Sequence, residues 1–227
     1  MEIIVDGPSG SGKSTVLQIV EGLGFQRQRG LVTFEANQQN DQSQEAAQMV
    51  KEAGLIGKNP ITLFLKSDVA TLTDVFPVLD SAAEAQRRHI AEVALHHDVV
   101  IDRSHISAQV IDTIISQLRN EPDVKSLMEK EKQIARENPI PANGVIYTYA
   151  APEVLVERRG SDVKLSQAEV AAFPQVMGIS LSPSEPYQRL ATPDGVPVLA
   201  IDTGKIMPEQ EAELIGLFIQ SLQELSA

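Results

Sequence analysis

The sequence contains no cysteine and no tryptophan, and only 4% of its 227 residues are aromatic. The absence of cysteine excludes disulfide bonds and thiolate metal sites, and it fits a chain that works in the reducing cytoplasm. No apolar run approaches the roughly 18 residues that a membrane span requires. The first predicted strand begins at Glu2, so we expect no targeting segment before it. We therefore expect a cytoplasmic protein with no membrane partner.

Positive charge is also scarce. The chain has 19 Lys and Arg residues against 31 Asp and Glu, which gives a formal net charge of −12. A surface this acidic repels nucleic-acid backbones at long range, so we expect no nucleic-acid partner. A small anionic ligand stays compatible with this charge if arginines gather at one site. With 42% apolar residues the chain can build a core, and we expect a single domain over residues 1–227.

The strongest motif reads Gly-Pro-Ser-Gly-Ser-Gly-Lys-Ser-Thr and matches G-x-x-x-x-G-K-[ST] completely. It follows an apolar run and opens a helix-like stretch, so its backbone N–H groups should point at phosphate oxygens beside a helix N-terminus. Lys13 is expected to reach the β- and γ-phosphates, and Ser14 to ligate Mg²⁺. A glycine-rich turn without a ligand would need neither residue. The motif predicts an ATP and Mg²⁺ site built from Gly7, Pro8, Ser9, Gly10, Ser11, Gly12, Lys13, Ser14 and Thr15.

Five short apolar runs predict strands at residues 2–5, 31–34, 99–101, 145–149 and 196–201. Nearly continuous apolar runs are typical of parallel strands that are buried on both faces. Longer helical patterns separate them. The fold class is therefore predicted as α/β, an open parallel five-stranded sheet with helices on both faces. Residues 160–195 are rich in Ser, Pro and Gly and predict a mobile flap, and we place a lid segment over approximately residues 158–185.

Two charged residues follow the predicted third strand. Asp102 is expected to hold Mg²⁺, directly or through water, beside the Ser14 hydroxyl. The alternative is that Asp102 caps the helix that follows. Arg103 would project over the crevice at the carboxyl ends of the strands, where open α/β sheets bind ligands. The alternative for Arg103 is an ordinary surface position.

Other charged residues fall where a phosphoryl-transfer site would need them. Arg158 and Arg159 could surround the migrating phosphoryl group and exclude water, or could simply sit at a helix C-terminus, where cations are favourable. Glu35 could accept the proton of an attacking hydroxyl or bind a sugar hydroxyl. Arg87 and Arg88 could bind an acceptor phosphate, although we expect one of the two to lie on the helix surface.

In this order along the chain, the motifs resemble the thymidylate kinase and deoxynucleoside kinase branch of the P-loop kinases. The matching segments are residues 7–15, 34–35, 82–89, 102–104, 152–162, 187–190 and 198–202. The similarity to thymidylate kinases implies acceptor binding by Glu35 and Arg103, acceptor-phosphate binding near Arg88, and phosphate clamping by residues 158–162. The similarity to nucleoside kinases implies a general base at Glu35 and an acidic-Arg-Ser triplet at residues 102–104.

We therefore expect a Mg²⁺-ATP-dependent kinase that acts on a small-molecule acceptor. The leading expectation is a nucleoside monophosphate, thymidylate-like, whose phosphate would be neutralised by Arg88 and Arg103. The first alternative is a nucleoside or another small-molecule hydroxyl, with Glu35 as the base. It stays open because thymidylate kinases place an acid where Ser9 stands and a proline where Ala36 stands. The second alternative is a P-loop ATPase or GTPase that serves as a switch or binding module, with no Asn-Lys-x-Asp guanine motif in support. A homodimer is an open expectation for the oligomeric state.

Overall fold

A computed structural model of the chain describes residues 1–32, 34, 43–160 and 163–226. Within these residues the strands are β1 (Glu2–Asp6), β2 (Gln26–Arg29), β3 (Val99–Asp102), β4 (Gly144–Tyr149), β5 (Tyr187–Ala191) and β6 (Pro197–Asp202). The helices are α1 (Lys13–Gly22), α2 (Gln44–Glu52), α3 (Pro60–Lys66), α4 (Val69–Ala94), α5 (His105–Leu118), α6 (Pro122–Glu137), α7 (Pro152–Arg159), α8 (Val163–Met177) and α9 (Pro208–Ser226). None of these helices is long and apolar enough to cross a bilayer.

The strands form one sheet in the order β2-β3-β1-β4-β6-β5. All neighbouring pairs are parallel except β5, which runs antiparallel to β6. The predicted α/β class with a parallel sheet is confirmed, but the sheet has six described strands instead of the predicted five. The chain crosses from one side of β1 to the other between β3 and β4. This reversal of strand order creates a crevice at the carboxyl end of β1, where ligands bind in open α/β sheets.

The prediction is wrong for the second strand. Residues 31–34 are expected to form it, but the three of them that the structure describes, residues 31, 32 and 34, lie in no strand, and residue 33 lies outside the described residues. The second strand is β2, which carries Gln28 and two arginines at the sheet edge. Val32 and Phe34 instead pack in an apolar cluster with Val50 of α2 and Ala82 of α4. The apolar residues after β2 therefore pack against helices and not into the sheet. The edge strand β2 itself is polar because one of its sides faces solvent.

Helices cover both faces of the sheet. On one face, α1 and α9 bury Leu17 and Phe218 against the strands. On the other face, α5 and α8 bury Ile114 and Phe173, and the Phe173 ring stacks on Tyr147 of β4 with ring centroids 5.6 Å apart. A further helical layer, α2, α3, α4 and α6, packs beside this second face. Residues of α3, α4 and α6 also line cavities of the protein.

More than half of residues 160–195, the segment predicted as a mobile flap, forms regular structure, in α8 and β5. Helix α7 ends at Gly160, which adopts a left-handed conformation with φ of 63°. Residues 161 and 162 lie outside the described part of the chain. Beyond them α8 buries Phe173 and Met177 in the core, and β5 adds the antiparallel edge. Serine and proline content obscured the apolar stripe of α8, which is what anchors this helix to the sheet.

Candidate active site

The phosphate-binding motif forms the turn from β1 into α1, as the sequence predicts. Gly7 has a φ of 149°, and a Cβ atom there would lie 2.1 Å from the carbonyl oxygen of Thr148. Gly12, with a φ of 88°, caps the start of α1. These positions need glycine because the backbone must pass very close to β4 and then turn sharply into the helix. The result is a curled loop at the N-terminus of α1, the arrangement that binds phosphate groups.

Lys13 folds back over this loop. Its Nζ donates hydrogen bonds to the carbonyl oxygens of Gly7 (2.8 Å) and Pro8 (2.6 Å). Burial, together with the positive charge of Arg103, lowers the pKa of Lys13 to about 7, while the charge of Asp6 opposes the shift. A polyanion bound in the loop would offset the two effects that disfavour the charged amine, its burial and the nearby charge of Arg103. The ammonium group is therefore placed where it gains most from a phosphate ligand.

Asp6, at the end of β1, is a site residue that sequence reasoning missed. Its buried carboxylate accepts hydrogen bonds from the Gly7 backbone N–H (2.9 Å) and from the hydroxyls of Ser104 (3.0 Å) and Ser107 (2.6 Å). Burial raises its pKa, against the opposing effects of Arg103 and the Ser107 hydrogen bond. Asp6 thereby ties the start of the loop to the N-terminus of α5. An acid that ends an apolar strand directly before the motif was the available signal.

Asp102 lies with Ser14 and Lys13 on one cavity of about 320 Å³ at the mouth of the loop. The Ser104 hydroxyl, 3.1 Å from the backbone N–H of Ile106, caps α5, so Asp102 is not the helix cap considered as its alternative role. A carboxylate and an exposed hydroxyl suit an oxygen-liganded cation such as Mg²⁺. No group of three or more acidic or histidine side chains among the described residues could hold a metal ion by itself. Proteins usually bind Mg²⁺ together with substrate phosphates.

Arg103 lines the cavity at the mouth of the loop and also a second, larger cavity beside it. Its φ of 64° makes it the one non-glycine residue with a positive φ in the described part of the chain. Its backbone N–H donates to Val5 (3.0 Å), and its guanidinium contacts the Ser107 hydroxyl at 3.4 Å. Unusual backbone conformations of this kind cluster at functional sites. Here Arg103 lines both cavities, so its guanidinium can interact with an anionic group bound in either of them.

The second cavity has a volume of about 600 Å³ and meets the first at Ser9, Leu31 and Arg103. Its walls are mainly apolar and include side chains of α5 and α8. Pockets for small molecules in proteins generally have this size and this mixture of apolar walls with a few polar groups. A bound molecule here would lie beside the phosphate-binding loop.

Arg158 and Arg159 have different surroundings although both end α7. Arg159 lines the second cavity, and its guanidinium lies 3.1 Å from the carboxylate of Glu169 on α8. Arg158 lines neither cavity. It donates to Gly10 O (3.3 Å) and to the hydroxyl and carbonyl of Thr203 (2.8 and 2.9 Å). Arg158 thus braces the outer side of the loop, and Arg159 faces the cavity.

Glu169 is a second residue that the sequence did not identify. It is only 7% exposed, and it is the one carboxyl group among the described residues that line the second cavity. No motif surrounds it. Its only signal was a charge on the otherwise apolar stripe of α8, and its position beside Arg159 depends on how α7 and α8 pack.

Of the remaining predicted residues, Arg88 lies apart from this group. Glu35 lies outside the described residues, although its neighbour Phe34 is buried and lines the second cavity. Arg88 is exposed on α4, where it forms ion pairs with Glu45 (3.2 Å) and Glu84 (3.7 Å), and it lines neither cavity. Arg88 therefore lies on the helix surface, which is the position that the sequence analysis expected for one of the pair Arg87 and Arg88.

Comparison with known proteins adds information on the fold. No family model and no curated protein matches the chain. Among solved structures, deoxyadenosine kinase from M. mycoides with bound dATP is 15% identical, covers 97% of this chain and 100% of its own, and has a TM-score of 0.55. The same enzyme with bound dCTP has a TM-score of 0.54 at 15% identity and the same coverage.

A third structure, YorR protein from Bacillus subtilis in complex with phosphorylated GDP, is 17% identical with a TM-score of 0.47, and the match covers 99% of this chain and 98% of that one. At identities this low, similarity reports the fold alone. The two deoxyadenosine kinase structures support the expected kinase-type α/β fold, and they do not single out thymidylate kinases. The chain shares the fold of a nucleoside kinase.

Proposed function

We propose that the chain is a kinase that transfers the γ-phosphoryl group of ATP to the hydroxyl of a nucleoside. The observation that carries this proposal is the junction of two cavities at Arg103: one surrounds the phosphate-binding loop, and the other can hold a small molecule. Phosphoryl transfer requires donor and acceptor in line, and catalysis consists mainly of positioning and charge stabilisation. A guanidinium at the junction supplies charge at the place of transfer.

On the donor side, the loop N–H groups, the α1 N-terminus and Lys13 bind the phosphates. Ser14 and Asp102 would hold Mg²⁺, which when bound neutralises phosphate charge. When phosphates bind, the Lys13 amine would exchange its hydrogen bonds to Gly7 and Pro8 for bonds to phosphate oxygens. The nearby negative charge would then raise the pKa of Lys13, because it favours the charged amine.

On the acceptor side, Glu169 and Arg159 line the cavity as an ion pair. The carboxylate can accept a hydrogen bond from an acceptor hydroxyl, while Arg159 and Arg103 present positive charge towards the phosphoryl group. Glu35 stays the proposed general base. Arginines are thus arranged to stabilise the migrating group, and carboxylates to orient or deprotonate the hydroxyl.

A nucleoside is favoured over a nucleoside monophosphate because Arg88, one of the two arginines expected to neutralise the acceptor phosphate, is exposed and paired with Glu45 and Glu84. The fold shared with a deoxyadenosine kinase supports the same choice. A monophosphate acceptor, thymidylate-like or other, is the second candidate, since Lys58 and Arg103 both line the second cavity. An ATPase switch would leave that cavity without a role.

The test is an acceptor panel. Nucleosides and their monophosphates are incubated with ATP and Mg²⁺, and both ADP release and phosphorylated product are measured. We expect acceptor-dependent ADP release with at least one nucleoside and loss of that activity in Lys13→Ala. Product from a monophosphate alone would replace the first candidate with the second. ADP release that no acceptor stimulates would contradict both and favour the ATPase.

A further inference from the structure

The reaction proposed above does not use the carboxylate of Asp6, although this group binds both sides of the site. The Gly7 backbone N–H, at the start of the phosphate-binding loop, donates to it at 2.9 Å. At the N-terminus of α5, the hydroxyls of Ser104 and Ser107 donate to it at 3.0 and 2.6 Å. Asp6 is fully buried, so these bonds do not compete with bulk water. One acid therefore connects the loop with the segment that carries Arg103.

The two serines that bind Asp6 differ in their second contact. The Ser104 hydroxyl accepts a hydrogen bond from the Ile106 backbone N–H at 3.1 Å and thereby caps α5. The Ser107 hydroxyl instead contacts a guanidinium nitrogen of Arg103 at 3.4 Å, and Ser107 lines the second cavity. The first serine therefore completes a helix, whereas the second faces the site.

The Ser107 hydroxyl can orient Arg103 because a hydroxyl has a single proton. That proton is donated to Asp6, and 2.6 Å is typical of a charge-assisted bond between a hydroxyl and a carboxylate. The lone pairs of the hydroxyl then face the guanidinium, which can only donate. Ser107 is only 1% exposed, so water does not readily replace either partner. Donor and acceptor chemistry thus fixes the order Asp6, Ser107, Arg103.

Arg103 has few other contacts that could fix its side chain. Its backbone is held by the hydrogen bond from its N–H to the Val5 carbonyl oxygen at 3.0 Å. Within the described part of the chain, Ser107 provides the one hydrogen bond to its guanidinium. Charge stabilises a transferring group best when it is already in place before the reaction. Ser107 therefore restricts the guanidinium in advance, at a place where its orientation affects the rate.

The charges of the site reinforce this chain of contacts. Burial raises the pKa of Asp6. The opposing effects include, in decreasing order, the charge of Arg103, the hydrogen bond from Ser107 and the charge of Lys13. Asp6 in turn favours the charged form of Lys13. The carboxylate and the two cations therefore stabilise one another's charged forms.

We propose that Asp6 and Ser107 are positioning residues, which hold the guanidinium of Arg103 in the orientation that phosphoryl transfer requires. The proposal rests on the proposed function, because the phosphoryl group would move between the two cavities that Arg103 lines. Since Asp6 also binds the Gly7 N–H, it sets the guanidinium relative to the loop that holds the phosphates. In this role both residues act through Arg103.

The first experiment replaces Ser107 by alanine and by threonine. Ser116→Ala is the matched control, because Ser116 lies on the same helix and its buried hydroxyl has no hydrogen-bond partner among the described residues. Ser107→Ala should lower kcat by about 10- to 10²-fold, the usual effect of losing a hydrogen bond to a charged group, and change the KM for ATP less than about threefold. Ser107→Thr keeps the hydroxyl and should restore kcat to within about threefold of wild type. A folded Ser107→Ala variant with the kcat of the control would overturn the proposal.

The second experiment combines Ser107→Ala with Arg103→Ala. If Ser107 acts through Arg103, its replacement should lower kcat by less than about twofold once the arginine is absent, because residues that act as a unit are not additive. A thermal melt of each variant confirms that it is folded. A loss as large as in the wild-type background would overturn the proposal, since Ser107 would then act independently of Arg103.

The third experiment observes the guanidinium by NMR without turnover. In the ligand-free protein the Nη resonances of Arg103, assigned by their loss in Arg103→Lys, should be separate, because a guanidinium that is held rotates slowly. Ser107→Ala should merge them, and Ser116→Ala should not. Asp6→Asn should merge them as well, because its amide places a donor among groups that themselves donate to the carboxylate. Merged resonances in the wild-type protein would overturn the proposal.

The NMR and kinetic measurements can fail separately. Separate Nη resonances that merge in Ser107→Ala support the positioning of Arg103 even if no acceptor is phosphorylated. Absence of transfer would in that case contradict the proposed kinase activity alone. Phosphoryl transfer with a kcat that does not depend on Ser107 would contradict the positioning alone.

Discussion

The guanidinium of Arg27 on the edge strand β2 forms an ion pair with the carboxylate of Asp102 at the end of β3. Both residues line the cavity at the mouth of the phosphate-binding loop. The proposed Mg²⁺ ligand is therefore held by a cation of the protein itself, and a metal ion must share or displace that contact.

From this relationship we expect Arg27→Ala to lower the Mg²⁺ concentration that gives half-maximal activity, by up to about tenfold, because the variant removes the competing cation. The measurement is a Mg²⁺ titration at saturating ATP, with the exposed Arg136→Ala on α6 as control. A higher Mg²⁺ requirement in Arg27→Ala would mean that the arginine positions Asp102 for the metal instead of competing with it.

Lys13→Ala is expected to reduce kcat by about 10²–10³-fold or more, since it removes charge stabilisation at the transferring group. The fold should persist, because the lysine amine donates its hydrogen bonds within the described residues to loop carbonyl oxygens, those of Gly7 and Pro8. Turnover is measured together with a thermal melt, and Lys66→Ala on α3, which is exposed, serves as the control. A folded variant with near-normal turnover would exclude the proposed role of the loop.

Arg158 and Arg159 are expected to give different phenotypes when replaced singly by alanine. Arg158→Ala removes contacts to Gly10 and Thr203, so it should weaken ATP binding. Arg159→Ala should lower kcat more than it weakens ATP binding, because Arg159 lines the acceptor cavity. The double variant should show both defects. Identical effects of the two single variants on kcat and ATP affinity would favour a general role at the helix C-terminus.

The acceptor prediction compares Arg88 with the two acids proposed at the hydroxyl. Arg88→Ala should leave the acceptor KM within about twofold, since surface ion pairs contribute little. Glu35→Gln should reduce kcat by about 10²–10⁴-fold if it is the general base, and Glu169→Gln should mainly raise the acceptor KM. Steady-state kinetics with the best acceptor of the panel give these values. A large increase of KM in Arg88→Ala would instead favour a phosphorylated acceptor.

Stability should depend on pH through the raised pKa of Glu131. Between about pH 4.5 and 7 the unfolded chain ionises this group and the folded protein does not, so the free energy of unfolding falls as pH rises. The slope from one group reaches at most about 1.4 kcal/mol per pH unit. The other charged groups in the cluster around Glu131 are Asp80 and Arg87 from α4, Asp112 from α5, and Glu129, Lys130 and Lys132 from α6.

Glu131→Gln should flatten this decline, because glutamine does not titrate. Urea denaturation at pH 4.5, 5.5, 6.5 and 7.5, evaluated relative to Glu137→Gln, measures the effect. A parallel pH profile in the two variants would show that Glu131 ionises normally in the folded protein.

Local spacing was sufficient to predict the phosphate-binding loop and four of the six described strands. The loop is recognisable because nine consecutive residues satisfy its backbone and ligand requirements together. Strands β1, β3, β4 and β6 are buried on both faces, so each appears as a continuous apolar run. The charged pair at residues 102–103 could be placed at the ligand crevice because it ends one of these strands.

Tertiary packing decided the rest. The polar edge strands β2 and β5 carry no apolar run, and the apolar residues Val32 and Phe34 contact helices instead of entering the sheet. Glu169 reaches Arg159 only because α8 folds against the sheet. Asp80, Asp112 and Glu131 are separated by many residues and meet because three helices pack side by side. Sequence patterns record which face of an element is buried, but the partner of a charged side chain depends on how distant elements pack.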